Sequence, residues 1–283
     1  MGGYVDISVG EAMVASVITG KNLMVESMDT KAGCDLAVKI CRDLGVDYER
    51  VVLDRDTCRG DLMGEFLYYP EEKEYRLKKG PLFTDVLILE GLHLCTPSIH
   101  SMLAGAISER VVGSGDERVA LSDRFMIVAV GVDTECSEVS ASLYERFAFR
   151  VEMDYMDPER VGSDLYRTGL DEMKRGYEEV TIGADEERYA IDIVHATRRP
   201  SDYLLDHLET FIERGAGSGA VDDLRSVSRA FAYLRGAGVV EREDMERAAR
   251  VVLPHRIEMG DSAVTVNLKR SDVIEALIER LSE

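Results

Sequence analysis

No stretch of this chain approaches eighteen consecutive apolar residues, so no membrane-spanning helix is expected. The opening MGGYVDISVGEAM lacks the basic-then-apolar order of a secretory signal, which points to the cytosol. There is no C-x-x-C pair. Cys34, Cys41, Cys58, Cys95 and Cys136 are scattered, as are the five histidines, so free and mostly buried thiols are expected and a zinc site is not. Positive charge is short: 34 Lys and Arg stand against 54 Asp and Glu, a net charge of −20. Most of such a surface repels a nucleic-acid backbone, which argues against nucleic-acid partners. Lysine is scarce beside arginine, a balance suited to a cytosol of high ionic strength.

What remains is a composition of 45% apolar and 31% charged residues over 283 positions, enough for one large domain or two smaller ones. Apolar runs predict five strands in the first half: NLMVES (22–27), YERVVLD (48–54), DVLILEG (85–91), RFMIVAVGV (124–132) and FAFRVEMDY (147–155). Two helices are predicted between them. CDLAVKICRDLG (34–45) stops at Gly45, and TPSIHSMLAGAISER (96–110) starts on Thr–Pro. Strands alternating with helices predict a parallel α/β sheet. VVGSGDERVAL reads as a hairpin turning on Gly–Ser–Gly. From residue 158 to 187 the pattern is charged and weakly periodic, a linker with one helix. From Arg188 the pattern is helical throughout, including DYLLDHLETFIERG (202–215). The expected organisation is an α/β core over 1–157, a linker over 158–187 and a helical domain over 188–283.

In this order the chain resembles the MoxR branch of the AAA+ ATPases, close to the magnesium-chelatase ATPase subunits. The resemblance is most specific over DLMGEFLYYPEEKEYRLKKGPLFTDVLILEGLHLCTP (61–97). There Asp61, Leu62, Met63 and Gly64 precede a charged hairpin, and Gly80, Pro81, Leu82 and Phe83 lead into an acidic strand end. LYERFAFRVEMDY (143–155) is similar to the family's arginine-finger region. VHATRR (194–199) and residues 215–258 are similar to its helical lid. The resemblance implies a five-stranded parallel AAA+ sheet with flanking helices, followed by a small all-α lid. It also implies ATP and Mg²⁺ as cofactors, ring assembly with AAA+ homologues, and a client such as a von Willebrand-type domain protein.

The departures from the family's pattern fall on its nucleotide site. Such an ATPase holds phosphate with backbone N–H groups and a Lys, holds Mg²⁺ with a hydroxyl and an acidic strand end, and polarises water with a Glu. Aligned on Val25 and Glu26, the phosphate loop reads Ser27, Met28, Asp29, Thr30, Lys31, Ala32, Gly33, Cys34. Gly33 takes the lysine position and Cys34 the hydroxyl position. Asp29 and Asp35 bring negative charge where phosphate would sit. A carboxylate about 4 Å from a phosphate costs on the order of several kcal/mol at an effective ε near 20. TGKN (19–22) has a Gly–Lys pair but precedes the strand, and reads as a helix-ending turn with Gly20 as the cap. The strand end is Glu90–Gly91, so Glu90 is the one candidate metal ligand and Gly91 replaces the water-polarising Glu. The sensor positions fall on Val132 and Gly219. Arg146 matches the family's trans-acting arginine.

Together these residues predict a catalytically inactive, pseudo-ATPase member of the family that needs no cofactor. It would serve as a regulatory or scaffold subunit in protein maturation or metal-insertion assembly, as a homo- or hetero-oligomer. The alternatives are a divergent but active ATPase using Lys31 and Glu90 with ATP and Mg²⁺, or a simple binding module. Met28 and Val132 are the side chains expected to fill the vacated phosphate space.

Overall fold

The computed structural model describes residues 7–71, 73–113, 118–132, 138–153 and 169–282. Helix α1 (Val9–Thr19) leads through Gly20, at φ +66°, into strand β1 (Asn22–Ser27). TGKN is therefore a helix-to-strand turn, as its glycine suggests. Helix α2 (Thr30–Leu44) follows at once. Its buried Gly33, Cys34, Ala37, Ile40, Cys41 and Leu44 recur at three- and four-residue spacing, the stripe an amphipathic helix lays on a sheet. Gly45 closes it at φ 67°, its N–H donating to the carbonyls of Arg42 and Cys41.

Then come β2 (Tyr48–Val52), the short α3 (Arg59–Met63), the antiparallel ribbon β3 (Gly64–Tyr69) and β4 (Glu74–Lys79), β5 (Val86–Glu90) and α4 (Pro97–Glu109). Short strands β6 (Val111–Val112) and β7 (Val119–Ala120) pair antiparallel, which is the hairpin read from VVGSGDERVAL; its turn lies outside the described residues. β8 (Met126–Gly131) and β9 (Phe147–Met153) complete a five-stranded sheet in the order β2-β5-β8-β1-β9. β2–β5, β5–β8 and β8–β1 are parallel. The inner strands β5, β8 and β1 are buried on both faces, which is why they read as unbroken apolar runs. Leu87, Leu89, Ile127, Phe125 and Phe147 lie at the centre of one apolar core with Leu62, Leu82 and Leu103.

The chain divides into two compact units. The sheet unit takes Gly20–Phe147 and Val151–Leu170. The helical unit takes Met1–Thr19, Ala148–Arg150 and Asp171–Glu283, so α1 groups with the C-terminal helices. In the helical unit, α1 packs on the helix Gly219–Leu234, and Glu11 of α1 accepts two 2.7 Å hydrogen bonds from Arg247 of the helix Arg242–Val252. The expected helix over 202–215 does not form. A 3₁₀ turn (Pro200–Tyr203), left-handed Leu204 at φ 62° and a one-turn helix (Asp206–Glu209) lead into β10 (Ile212–Arg214), which pairs with β11 (Glu258–Met259). The apolar spacing of Leu205, Leu208 and Phe211 imitates a helix, but pairing with β11 decides the conformation. The linker region contains two helices, Leu170–Glu179 and the start of Ala184–Arg198; residues 158–168 of it lie outside those described.

Candidate functional site

The C-terminal ends of parallel strands are where an α/β sheet binds ligands, because helix N-termini and strand-end loops converge there. In the sheet unit the relevant ends are Ser27, Glu90 and Gly131, followed by Val132.

A phosphate loop is a wide arc between strand and helix. Here only Met28 and Asp29 separate β1 from α2, and the helix begins at Thr30. The reason is local. Asp29 is the N-cap: its carboxylate accepts the Ala32 N–H at 2.9 Å, and its carbonyl accepts the Gly33 N–H at 3.2 Å. The Asp29 N–H in turn donates to the Ser27 hydroxyl at 3.1 Å. A helix N-terminus attracts anions through its unpaired amides and its dipole. In this chain a built-in carboxylate has already taken that place. Asp29→Ala should therefore cost about 1 kcal/mol of stability, the usual worth of an Asp cap, read as a lower denaturant midpoint at unchanged slope.

Gly33 is buried, and a Cβ placed on it would stand 2.8 Å from Val130 Cγ1 of β8. The position that would carry the phosphate-binding lysine is thus the point where α2 touches the sheet. Lys31, two residues earlier, is exposed. Met28 is 79% exposed and fills no cavity, which overturns the expectation that it plugs the phosphate space; it sits at the apex of a turn too short to fold inward. Val132 is half-buried at the end of β8.

At the strand end Glu90 is fully engaged. Thr30 Oγ1 donates to Oε1 at 2.7 Å, Arg50 Nη2 donates to Oε2 at 3.1 Å, and the Cys34 thiol approaches Oε2 at 3.9 Å. Arg50 Nη1 also holds Asp35 Oδ1 at 2.8 Å. The Thr30 hydroxyl and the Arg50 guanidinium hold the Glu90 carboxyl below the usual range. Burial pushes the Cys34 thiol up to about 12, and the Glu90 carboxylate adds to this, so it stays protonated and cannot act as a thiolate ligand.

Arg50 is the residue that sequence reading passed over. It lies on β2, two residues before Val52, which is opposite Glu90 in the parallel register, so both side chains share the face under α2. The signal was a lone guanidinium inside the apolar run YERVVLD.

Next to Glu90, Gly91 is left-handed at φ +80°, and a Cβ there would stand 2.7 Å from the Leu53 carbonyl oxygen. A water-polarising Glu could not be seated at that position without moving backbone. Gly219, expected at the second sensor's position, opens the helix Gly219–Leu234 of the helical unit, with open space around its Cβ direction. Arg146 is exposed, and its carbonyl is pinned by a 2.8 Å hydrogen bond from Asn22 Nδ2.

The structure thus gathers Thr30, Cys34 and Glu90 around Arg50 and Asp35, and leaves Met28, Lys31 and Arg146 facing solvent. The donor set does not fit Mg²⁺–ATP. A magnesium ion needs hard oxygen ligands with room for water, and here a thiol stands for the hydroxyl while a guanidinium already neutralises the carboxylate. A nucleotide's phosphates need free amides and a lysine, and here the Asp29 carboxylate already takes the Ala32 amide while Gly33 stands at the lysine position.

Residues 22–147 match the family model described as ATPase family associated with various cellular activities (AAA), and residues 209–276 match the AAA lid domain. The chain is 20% identical to the chaperone MoxR1 of Mycobacterium tuberculosis, over 96% of this chain and 77% of that one. It is 19% identical to the uncharacterized protein YeaC of Bacillus subtilis, over 94% of this chain and 86% of that one. A crystal structure from Cytophaga hutchinsonii, described as a candidate ATPase, superposes with TM-score 0.83 at 22% identity, over 95% of this chain and 88% of that one. The last likeness is one of fold.

Proposed function

We propose that this chain, whose core matches the AAA ATPase family model and whose C-terminal part matches the AAA lid domain, is a MoxR-type subunit that neither holds nor hydrolyses ATP. The observation that carries the reading is the self-occupied site: the Asp29 carboxylate takes the Ala32 amide at the helix start where phosphate would dock, and Arg50 binds the carboxylate that would receive the metal. Four functional groups are replaced besides, at Gly33, Gly91, Val132 and Gly219. Removing a single transition-state donor already costs ~10²–10³ in rate, so these losses together leave no turnover.

Its role is then carried by surfaces. It acts as a regulatory or scaffold subunit in protein maturation or metal insertion, bound to AAA+ homologues or to a von Willebrand-type client. Arg146, exposed on an anchored backbone, is free to reach the nucleotide of a catalytic neighbour.

Calorimetric titration of the full chain with ATP–Mg²⁺ should give no binding heat, and phosphate release should stay at background. Micromolar binding, or hydrolysis that Lys31→Ala abolishes, would overturn the reading in favour of a divergent ATPase.

A further inference from the structure

Strand β2 ends one side of the five-stranded sheet, and its outer edge is open. In the order β2-β5-β8-β1-β9 it pairs with β5 alone. Val86 N–H donates to the Asp47 carbonyl at 3.0 Å, and Leu53 N–H donates to the Glu90 carbonyl at 2.8 Å. In a parallel ladder, alternate residues of a strand turn their polar groups to the same side. With Asp47 and Leu53 turned toward β5, Glu49 and Val51 turn the same way. The N–H and C=O groups of Tyr48, Arg50 and Val52 then point away from the sheet, and among the described residues no partner meets them. None of the β2 residues is buried, and Val52 is 66% exposed. Proteins blunt such an edge with proline, a bulge or charged side chains. Here there is no proline, and the register runs unbroken from Tyr48 opposite Val86 to Val52 opposite Glu90. The Arg50 guanidinium is drawn away to Asp35 and Glu90. An edge of this kind accepts an extended peptide as a further strand.

Which peptide it accepts is set by the groove beside it. Between β2 and α2 an open groove of about 620 Å³ is lined by Val38, Lys39, Arg42, Tyr48 and Arg50, and it lies wholly within the sheet unit. Its charge runs against that of the chain. Three cations stand there with two carboxylates, Asp35 and Asp43, in a protein of net charge −20. Asp35 is taken by Arg50 at 2.8 Å. Arg42 Nε donates to the Tyr48 hydroxyl at 2.8 Å, and among the described residues neither Lys39 nor Arg42 is ion-paired. These two cations are three residues apart on one helix face, about 5–6 Å between Cβ atoms. Alternate side chains on one face of a strand are about 6.5–7 Å apart. The spacings match, so a strand laid along β2 sets two alternate carboxylates over Lys39 and Arg42. Glu49, exposed on the opposite face, disfavours an acid at the residue between them. A nucleic-acid backbone brings anionic groups but no amides or carbonyls for the edge. A peptide uses both edge and groove.

We infer that β2 and its groove form a docking site for an extended acidic peptide of a partner protein, which joins the sheet as a sixth strand with carboxylates at alternate positions. This gives a chemistry to the surface role proposed above. ATP binding and peptide docking are measured separately, so either reading can fail alone.

A fluorescent six-residue peptide alternating glutamate and valine should bind the full chain saturably, and its affinity should fall as salt is raised. The same peptide with lysine for glutamate should bind about tenfold more weakly or worse. Hydrogen exchange in the complex should slow at the amides of Tyr48, Arg50 and Val52, and change little at Glu49 and Val51, which already pair with β5. Val52→Pro removes one outward N–H and no ladder bond. It should weaken binding about fivefold or more at an unchanged unfolding midpoint. Lys39→Glu with Arg42→Glu should turn the preference toward the lysine peptide. If that variant's midpoint falls, Lys39→Gln with Arg42→Gln should still weaken glutamate-peptide binding about fivefold. Equal binding of the two peptides overturns the inference. So does glutamate-peptide binding that neither Val52→Pro nor the three amides register, since the groove then holds anions without an added strand. Slowing of the same amides with protein concentration alone gives the edge to a second copy of this chain, and overturns the inference as surely as the absence of saturable binding at millimolar peptide.

Discussion

Restoring the family's two most visible residues should damage this protein without making it an ATPase. In the double variant Gly33→Lys, Gly91→Glu the sheet unit should unfold at clearly lower denaturant, and phosphate release should remain at background. At position 91 a side chain must adopt φ +80°, which costs about 1–2 kcal/mol for an L-residue. Its Cβ would also stand 2.7 Å from the Leu53 carbonyl, on the segment whose N–H donates to Glu90 O at 2.8 Å, so relief comes only by breaking a strand-end bond. Overpacking of this kind costs roughly 1–3 kcal/mol more. At position 33 two effects compete. Replacing a helical glycine gains about 0.8–1.0 kcal/mol of propensity. Against this, the new Cβ meets the γ-methyl of Val130, a buried β-branched residue with little rotamer freedom, at 2.8 Å. The packing cost of about 1–3 kcal/mol exceeds the gain. The two sites together should lose on the order of 4 kcal/mol, read on the sheet unit's own transition because a two-unit chain is not expected to unfold in one step. A double variant as stable as wild type and releasing phosphate would show that Gly33 and Gly91 are accidents of drift and that the site is dormant rather than closed.

The sequence carried the fold well and the site only in outline, for reasons that particular residues make plain. Strand β1 could be read to its end residues, because Leu23, Met24 and Val25 are buried on both faces and leave no polar alternation to misread. Helix α2 was placed four residues late. The family resemblance stretches 27–34 into a loop, while the Asp29 cap, a signal of ordinary kind, starts the helix at Thr30. The meaning of the two glycines was out of reach. A missing lysine and a missing glutamate are visible in any sequence, but the contacts that forbid them, with Val130 and Leu53, come from the approach of α2 to β8 and of residue 91 to the chain after β2. Arg50 was hidden for the same reason: it meets Glu90 across forty residues, and only the parallel register brings them to one face. In the helical unit Leu205, Leu208 and Phe211 misled, since their spacing is helical and nothing local announces the pairing of Ile212 with Met259.

Removing Arg50 should expose how much of the site depends on it. Arg50→Ala deletes the hydrogen bonds to Glu90 at 3.1 Å and to Asp35 at 2.8 Å, and leaves Glu90 with the Thr30 hydroxyl and the weak Cys34 thiol contact. Hydrogen bonds to charged groups are worth about 1.5–3 kcal/mol when buried. Both partners here keep some contact with water, Arg50 at 28% and Glu90 at 22% exposure, so screening brings the expected loss at neutral pH to about 1–2 kcal/mol. The pH dependence is the more specific signature. The Glu90 carboxyl is held low in the folded protein, first by Thr30 and then by Arg50, so the folded state binds fewer protons at this site than the unfolded chain. Its stabilising contribution is therefore complete above the ordinary glutamate value of about 4.3, and is lost as pH falls through that value toward the lowered one. Without Arg50 the carboxyl titrates closer to its ordinary value, the gap between folded and unfolded states narrows, and acid costs the variant less at this site. Stability of wild type and Arg50→Ala should differ most at pH 7 and converge below about pH 4. Arg50→Lys should retain part of the difference, keeping the charge but not the fork that spans two carboxylates. A gap between the proteins that stays constant from pH 7 to the acid transition would assign Arg50 to packing alone, and would remove the ground for treating its guanidinium as the cation of this site.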